Sequence, residues 1–541
     1  MAARNPLWRR TPLNRSWQNI ILSLFVIVFI AQLSAPTQAQ AQSIANDDNI
    51  LAAANPQGKK DSSPSLSWIQ KHLGTKSPYP HGDKRASPLR DTPKGYELAQ
   101  VHLVNRHGTR YPSSSKIIAY QKLAAKLGKT AVPGYEWLKT WPGGELYPVE
   151  QGNLLTPNGD SDLYQIGRRF GIRYKDFINR YPYDANTYDI RSSMKPRCTQ
   201  SAYSFTEGFF QGHHTSVEVN GIKQDKSKRP PLQPVAISTL PAGLDKEIAI
   251  QDSCPRWVEK IKEDDNTVHE MEVYQKTFLP QLAERLTSLL SNGVSQVNVT
   301  TKDVESIYGI CSYEVSVYNN DKTFCELLKR GGPVSESKNS SFVNFEISGD
   351  LDDYYVFGPV IPFNRHPGCF LGTNLANSIE AALTADPVIP EDDELGPSYY
   401  RGVFKFGHSE TIFFLSTFLG LHNQTSVYLT GDMTPEQYAQ RDFYTSKISP
   451  FSANIAFEVY RPKPSNAIRK RADSPKGLVR LLVNEDPTII PGCGSTYFCE
   501  WDTFKQILQK QGAGCDYEAC CVLDPADGQT CLSIDPLTRN Y

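Results

Sequence analysis

Apolar and polar positions along the chain follow two rhythms. YELAQVHLV (residues 96–104) has the composition of a buried strand and stops at the basic stretch RHGTR. LLTPNGDSDLYQIGRRFGIRYKDFI predicts a helix: Thr156 serves as N-cap, Pro157 takes the first helical position, and Leu163, Ile166, Phe170 and Ile172 roughly keep helical spacing. TYDIRSSMKPRCTQSAYSFTEGFF predicts a short strand, a loop and a second helix, and MEVYQKTFLPQLAERLTSLL predicts another. Strand character returns in SYYRGVFKFGHSETIFFLSTFLGL, read as strand, tight turn and helix. SANIAFEVYRP and GLVRLLVNE are two further strands, joined by the basic loop KPSNAIRKRADSPK, whose Lys470 and Arg471 form a dibasic pair.

This pattern predicts an α/β fold, a mostly parallel sheet flanked by helices, with a smaller inserted, mainly α-helical domain. The expected segments are a signal peptide (1–41), an N-terminal linker with one docking helix in SLSWIQKHLG (42–95), the first part of the α/β core (96–209), the helical insertion (210–390), the second part of the core (391–490) and a disulfide-rich tail (491–541). No repeat of fixed period occurs.

Charge and cysteine usage narrow the setting. The 57 basic and 58 acidic side chains of the 541-residue chain nearly cancel, which argues against a general nucleic-acid binder. Residues 1–43 combine a basic leader, an apolar stretch from Ile20 to about Leu33 and small residues suited to cleavage after Ala41. The stretch falls short of the roughly 18 residues a membrane span needs, so the reading is a secreted protein, extracellular or in the cell wall, with no stable membrane insertion; the alternative is a signal-anchored one. All 11 cysteines follow residue 197, and Cys493, Cys499, Cys515, Cys520, Cys521 and Cys531 crowd the tail, as bridges in an exported protein would. The odd count leaves at least one thiol outside intramolecular bridges. Sequons at Asn298, Asn339 and Asn423 fit a glycosylated exterior.

In open α/β sheets, ligands bind beyond the carboxyl ends of the strands. Arg106, His107 and Arg110 follow the first predicted strand, Arg197 follows the second, and His408 and Glu410 follow the third. If those strands are neighbours, three guanidiniums, two imidazoles and a carboxyl group converge. Guanidinium forks fit phosphate oxygens, and the cations disfavour a charged imidazole.

RHGTRYP resembles the RHGxRxP signature of the histidine acid phosphatases. RSSMKPRC resembles their downstream arginine segment, and GHSE resembles the HAE variant of their acid motif, with Ser409 in place of alanine. With LTPNG, SPFSANIAFEVY and LLVNE, the resemblance points to the branch of multiple inositol polyphosphate phosphatases and fungal phytases, from about Trp68 to the C-terminus. It implies a histidine phosphatase-like core and a phosphomonoesterase needing no cofactor or metal. His107 would be the nucleophile, Arg106, Arg110 and Arg197 would bind phosphate with His408 as a further donor, and Glu410 would protonate the leaving oxygen. Arg191 also matches the family pattern.

The expected partner is a small phosphate ester, inositol polyphosphate foremost. The alternatives are a broad-specificity acid phosphatase and a catalytically silent phosphate-binding or cell-surface relative. Burial or bound phosphate is expected to raise the Glu410 pKa. His102 reads as a hydrogen-bonded structural residue, and His213 and His214 lack a carboxylate or cysteine at ligand spacing. Lys195 and Lys405 are candidates for extra positive potential. No GxxxxGK[ST], HExxH or GxSxG motif occurs, so nucleotide hydrolases, zincins and α/β-hydrolases gain no support.

Overall fold

Eight strands, buried at the sheet's centre and exposed at the β3 edge, pair into one sheet in the order β3-β2-β4-β1-β5-β6-β7, with β8 paired to β6. They are β1 (Tyr96–Arg106), β2 (Tyr188–Ser193), β3 (Ser238–Leu240), β4 (Gly402–Gly407), β5 (Asn454–Pro462), β6 (Leu478–Val483), β7 (Asp486–Thr488) and β8 (Cys499–Glu500). The computed structural model describes residues 64–80, 92–129, 133–211, 233–291, 297–332, 340–389, 396–423, 428–463, 476–513 and 516–523. The leader, Asn339, His213, His214 and the Lys470–Arg471 pair lie outside them.

The expected α/β sheet with flanking helices is present, and it is mixed. β3, β2, β4 and β1 run parallel, whereas β5 to β8 are antiparallel additions. The register sets Arg106 of β1 beside Gly407 of β4, and Ser192 of β2 beside Phe406 of β4. The carboxyl ends of three adjacent parallel strands therefore finish at one level.

One face of the sheet, with Leu103, Ile190, Phe404 and Phe406, is covered by the Pro157–Arg173 and Pro196–Phe210 helices, which contribute Leu163, Ile166, Phe170, Phe205 and Phe209. These two helices cross closely because glycines face backbone: a Cβ on Gly167 would lie 2.0 Å from the Phe205 carbonyl oxygen. Thr156 caps the first helix by accepting from the Gly159 amide, as expected. Ile172 departs from the expected stripe and is 58% exposed. It follows Phe170 by two residues, about 200° round a helix of 3.6 residues per turn, so the buried face cannot include both.

The other face packs against the Cys369–Thr384 and Ser409–Phe418 helices and a helical assembly that includes Asp265–Leu289, Thr301–Tyr318 and Ser341–Val356. Asp264 caps the first of these, which starts before the predicted MEVYQ and continues through Pro280. The predicted docking helix shrinks to one turn, Leu66–Ile69, because the chain then bends at Gly74, whose φ is 56°. Ile69 and Leu73 are nevertheless buried. Disulfides join Cys254 to Cys521, Cys311 to Cys325 and Cys493 to Cys499. Cys369 and Cys520 are also disulfide-bonded, and Cys198 is a buried free thiol.

Candidate active site

His107 leaves the end of β1 and is fixed on both sides of its backbone: its amide donates to the Gly407 carbonyl at 2.9 Å, and its carbonyl accepts from the Ser452 amide at 3.1 Å. The ring is buried, and Nδ1 lies 2.8 Å from the Gly108 carbonyl oxygen. A carbonyl only accepts, so Nδ1 carries the proton and Nε2 keeps its lone pair. Burial first, then Arg197, Arg106, Arg110 and His408, hold this imidazole well below the usual histidine range.

The turn after His107 is clamped onto the N-terminus of the Pro157–Arg173 helix. Thr156 donates to the Thr109 carbonyl through both its amide and its hydroxyl, each at 2.9 Å. Arg110 bridges to Leu155. The Gly108 amide donates to the Ser201 hydroxyl at 3.0 Å. A Cβ on Gly108 would approach the Gly159 carbonyl oxygen to 2.4 Å, so only glycine fits there. The LTPNG segment is thus the platform on which RHGTR sits.

Three guanidiniums lie within electrostatic reach of the His107 ring. Arg106 is 4% exposed, stacks over Phe451 at 4.6 Å and gives Nη1 to the carbonyls of Thr75 (2.7 Å) and Ser449 (2.5 Å). Burial and then Arg110 push its pKa down to about 9, which still leaves it cationic in acid and neutral solution. Arg110 gives Nη1 to the Tyr111 carbonyl at 2.9 Å and the Tyr313 hydroxyl at 3.2 Å. Arg197 stands in the first turn of the Pro196–Phe210 helix and places Nη2 3.3 Å from His408 Nδ1. The Nε atoms of all three are buried and have no acceptor among the described residues.

His408 follows β4 and is the N-cap of the Ser409–Phe418 helix, so the parallel register brings its ring centroid within 5.8 Å of that of His107. Nε2 lies 2.9 Å from the Ser193 hydroxyl. Burial, with help from Arg197, Lys195 and Arg106 and against Glu410, pulls its pKa down to about 4. Glu410 is in the first turn of the same helix and accepts from the Ser409 hydroxyl at 2.9 Å. Burial pushes its carboxyl upward, as expected, but His408, its own amide, Ser409 and Arg106 outweigh that and hold it below the usual range. The expectation of a raised pKa fails for the protein alone because the site's cations exceed the desolvation cost.

Arg191 and Lys405 point elsewhere. Both meet Glu247, at 3.2 and 2.6 Å, and Arg191 also pairs with Asp189 at 2.9 Å, so neither faces His107. Lys195 is exposed near His408. His102 is buried within β1, and its Nε2 has no hydrogen-bond partner among the described residues. Asn298 and Asn423 are exposed. Sequence reasoning missed Ser193, Ser201 and Tyr313. The first belongs to the quoted RSSMKPRC, yet nothing local distinguishes its hydroxyl from that of Ser192; Tyr313 comes from a helix with no motif. Among the described residues, no cluster of three or more histidine, cysteine or carboxylate side chains could hold a metal.

Residues 97–484 match the family model described as the histidine phosphatase superfamily (branch 2). An acid phosphatase of Schizosaccharomyces pombe is 24% identical over 445 residues, covering 79% of this chain and 83% of its own. Among solved structures, the phytase from D. castellii superposes with a TM-score of 0.61 at 20% identity, over 84% of this chain and 87% of its own. The multiple inositol polyphosphate phosphatase of Bifidobacterium longum, in complex with inositol hexasulfate, gives 0.58 at 16% identity, over 81% and 97%.

Proposed function

The chain belongs to branch 2 of the histidine phosphatase superfamily and is a phosphoric monoester hydrolase; from its site we propose that it hydrolyses inositol polyphosphates, phytate included, through a phosphoryl group carried on His107. The observation that carries this reading is the trio of buried guanidinium Nε–H donors, on Arg106, Arg110 and Arg197, left without acceptors among the described residues, around a histidine whose proton sits on Nδ1 and whose Nε2 therefore presents a lone pair. Buried donors are otherwise nearly always satisfied, and a phosphoryl group supplies the missing acceptor oxygens.

Nε2 of His107 attacks phosphorus, the ester P–O bond breaks, and its electrons go to the leaving oxygen. An alkoxide leaves poorly unless protonated. The phosphate dianion offsets the cations that keep Glu410 ionised, so the bound state is where Glu410 can hold the proton that it gives to the leaving oxygen. Its carboxylate then takes a proton from water, whose oxygen attacks the phosphohistidine. The P–N bond breaks, its electrons return to Nε2, and inorganic phosphate leaves. His408 backs Arg197 and becomes a donor in its own right when phosphate's negative charge raises its affinity for a proton.

Each charge-assisted hydrogen bond is worth roughly 1.5–3 kcal/mol, against about 8–23 kcal/mol for enzymatic rate enhancement. One guanidinium does not suffice, and covalent catalysis makes His107 the most consequential residue. Lys76 lies within electrostatic reach of both Arg110 and Lys116, and Lys195 within reach of His408, which supports a substrate with several phosphates. The leader and the disulfides support secretion, and no helix among the described residues is long and apolar enough to cross a membrane.

Rapid acid-free quenching during turnover of p-nitrophenyl phosphate should trap an acid-labile phosphoramidate at His107. Hydrolysis continuing without it would sink the mechanism. A panel of phytate, 2,3-bisphosphoglycerate and p-nitrophenyl phosphate should show the highest kcat/KM on phytate; equal values would favour a broad acid phosphatase, and none at all a silent binder.

A further inference from the structure

We propose that Ser193 is a positioning residue of this site: its hydroxyl fixes the tautomer of His408, and that tautomer holds the Arg197 guanidinium ready for phosphate. The inference rests on reading the pocket as a phosphoryl site. It follows from the direction in which each hydrogen bond can run.

A guanidinium has only donors, so at 3.3 Å Arg197 Nη2 gives a proton toward His408 Nδ1, which must present its lone pair. A neutral imidazole carries one N–H, and it is therefore on Nε2. Nε2 lies 2.9 Å from Ser193 Oγ, the acceptor for that proton. The chain reads Arg197 to His408 to Ser193, and reversing the histidine tautomer would set an N–H against a guanidinium N–H.

The surroundings keep Ser193 where this needs it. It closes β2 and is fully buried. Its carbonyl accepts from the Ser192 hydroxyl at 2.9 Å, and that hydroxyl also contacts the Thr199 hydroxyl, 2.8 Å away in the first turns of the helix that carries Arg197. The Cys198 thiol packs 3.8 and 3.9 Å from the two ring nitrogens, but its own proton goes to the Gly407 carbonyl at 3.4 Å and does not compete. Strand end, helix start and histidine ring are thus tied together on both sides of Arg197. With Nη2 occupied by His408, the unpaired Nε of Arg197 is the donor held for phosphate.

Two measurements test this on the full-length enzyme. The first needs no variant: two-bond proton–nitrogen correlation spectra of the phosphate-free protein, with His408 assigned by its loss in His408→Asn, should show the Nε2–H tautomer. An Nδ1–H tautomer overturns the proposal, whatever becomes of the phosphohistidine, because this readout requires no turnover. The second is a double-mutant cycle read as the inhibition constant of inorganic phosphate. Ser193→Ala should raise it about tenfold when Arg197 is present and by less than twofold in the Arg197→Ala background. An equal rise in both backgrounds would show that Ser193 does not act through Arg197.

Discussion

Glu410 carries two opposed tendencies, and which one prevails decides how the enzyme responds to pH. Burial favours its acid form, while His408, Ser409, its own amide and Arg106 favour the carboxylate and win in the protein alone. Below the usual carboxylate pKa of about 4.3 Glu410 begins to bind a proton; above it the group arrives at substrate ionised. The proton for the leaving group then comes with the substrate, a monoanion below its second pKa of about 6, which on binding passes that proton to Glu410 and becomes the dianion, and Glu410 delivers it to the leaving oxygen. His107, held well below the histidine range, stays uncharged throughout that window, as the proposed attack requires. Accordingly, kcat/KM should be greatest in mildly acidic solution and fall above about pH 6 as the substrate loses its proton; a profile still rising above pH 8 would contradict this. Glu410→Gln should lower kcat/KM on an alkyl phosphate by roughly 10²–10⁴ and on p-nitrophenyl phosphate by less than tenfold, because nitrophenolate leaves without a proton. Equal losses on both would remove Glu410 as donor. At this scale the sequence made Arg106, His107, Arg110, Arg197 and His408 legible, since each lies in a short segment that ends or follows a strand. The charge state of Glu410 was not, because it is a sum over residues from separate segments. Nor were the carbonyls of Thr75 and Ser449 that aim Arg106.

The elements that hold the site meet through glycine. Gly108 follows His107 and Gly159 sits in the first turn of the Pro157–Arg173 helix; a Cβ on Gly159 would lie 2.2 Å from the Thr109 carbonyl oxygen. Neither side can yield without moving backbone. Gly108→Ala and Gly159→Ala should each cost about 1–3 kcal/mol of stability through overpacking. Displacing the turn that carries His107 by about 1 Å should also lower kcat about 10²-fold. Gly349→Ala is the control: it is in the Ser341–Val356 helix with nothing within 4 Å of the added carbon, so it should leave kcat unchanged and raise stability by about 0.5–1 kcal/mol. Thermal unfolding with steady-state kinetics on the three variants checks both halves. Periodicity located these elements well where one face is buried, as with Thr156 capping a helix over Leu163, Ile166 and Phe170. It placed Ile172 on the wrong side because a loose apolar count ignores angle. It also gave no warning of β3, three exposed residues that pair only because β2 is already there.

Across the whole molecule, the arrangement that brings three strand ends to one level depends on segments far apart in sequence. The Cys254–Cys521 disulfide spans 267 residues, from just beyond β3 to the C-terminal region, and so closes over β4, β5 and β6. Cysteine crowding announced bridges in the tail, but this partner at position 254 was invisible without the fold, since pairing is a matter of distance in space. Chain entropy assigns a loop of that length roughly 5–6 kcal/mol, against roughly 2 kcal/mol for Cys493–Cys499 with its separation of 6. Other cross-links inside the larger loop shorten its effective length, so the difference should be smaller than those figures while keeping its sign. Cys254→Ser with Cys521→Ser should therefore lower the midpoint of thermal unfolding by several degrees more than Cys493→Ser with Cys499→Ser. Neither pair should alter kcat on p-nitrophenyl phosphate at 25 °C, because both bridges lie outside the cluster of His107, Arg106, Arg110, Arg197 and His408. The same logic ties stability to the compartment proposed for the protein: bridges form in an oxidising space and are kept reduced in the cytosol. Enzyme produced with its leader removed in a reducing cytoplasm, which lacks every bridge, should unfold at or below the temperature of the Cys254/Cys521 double variant, and oxidative refolding should restore the difference. If the reduced and oxidised enzymes unfold at the same temperature, the disulfides contribute nothing to the fold, and they cease to support an exported protein.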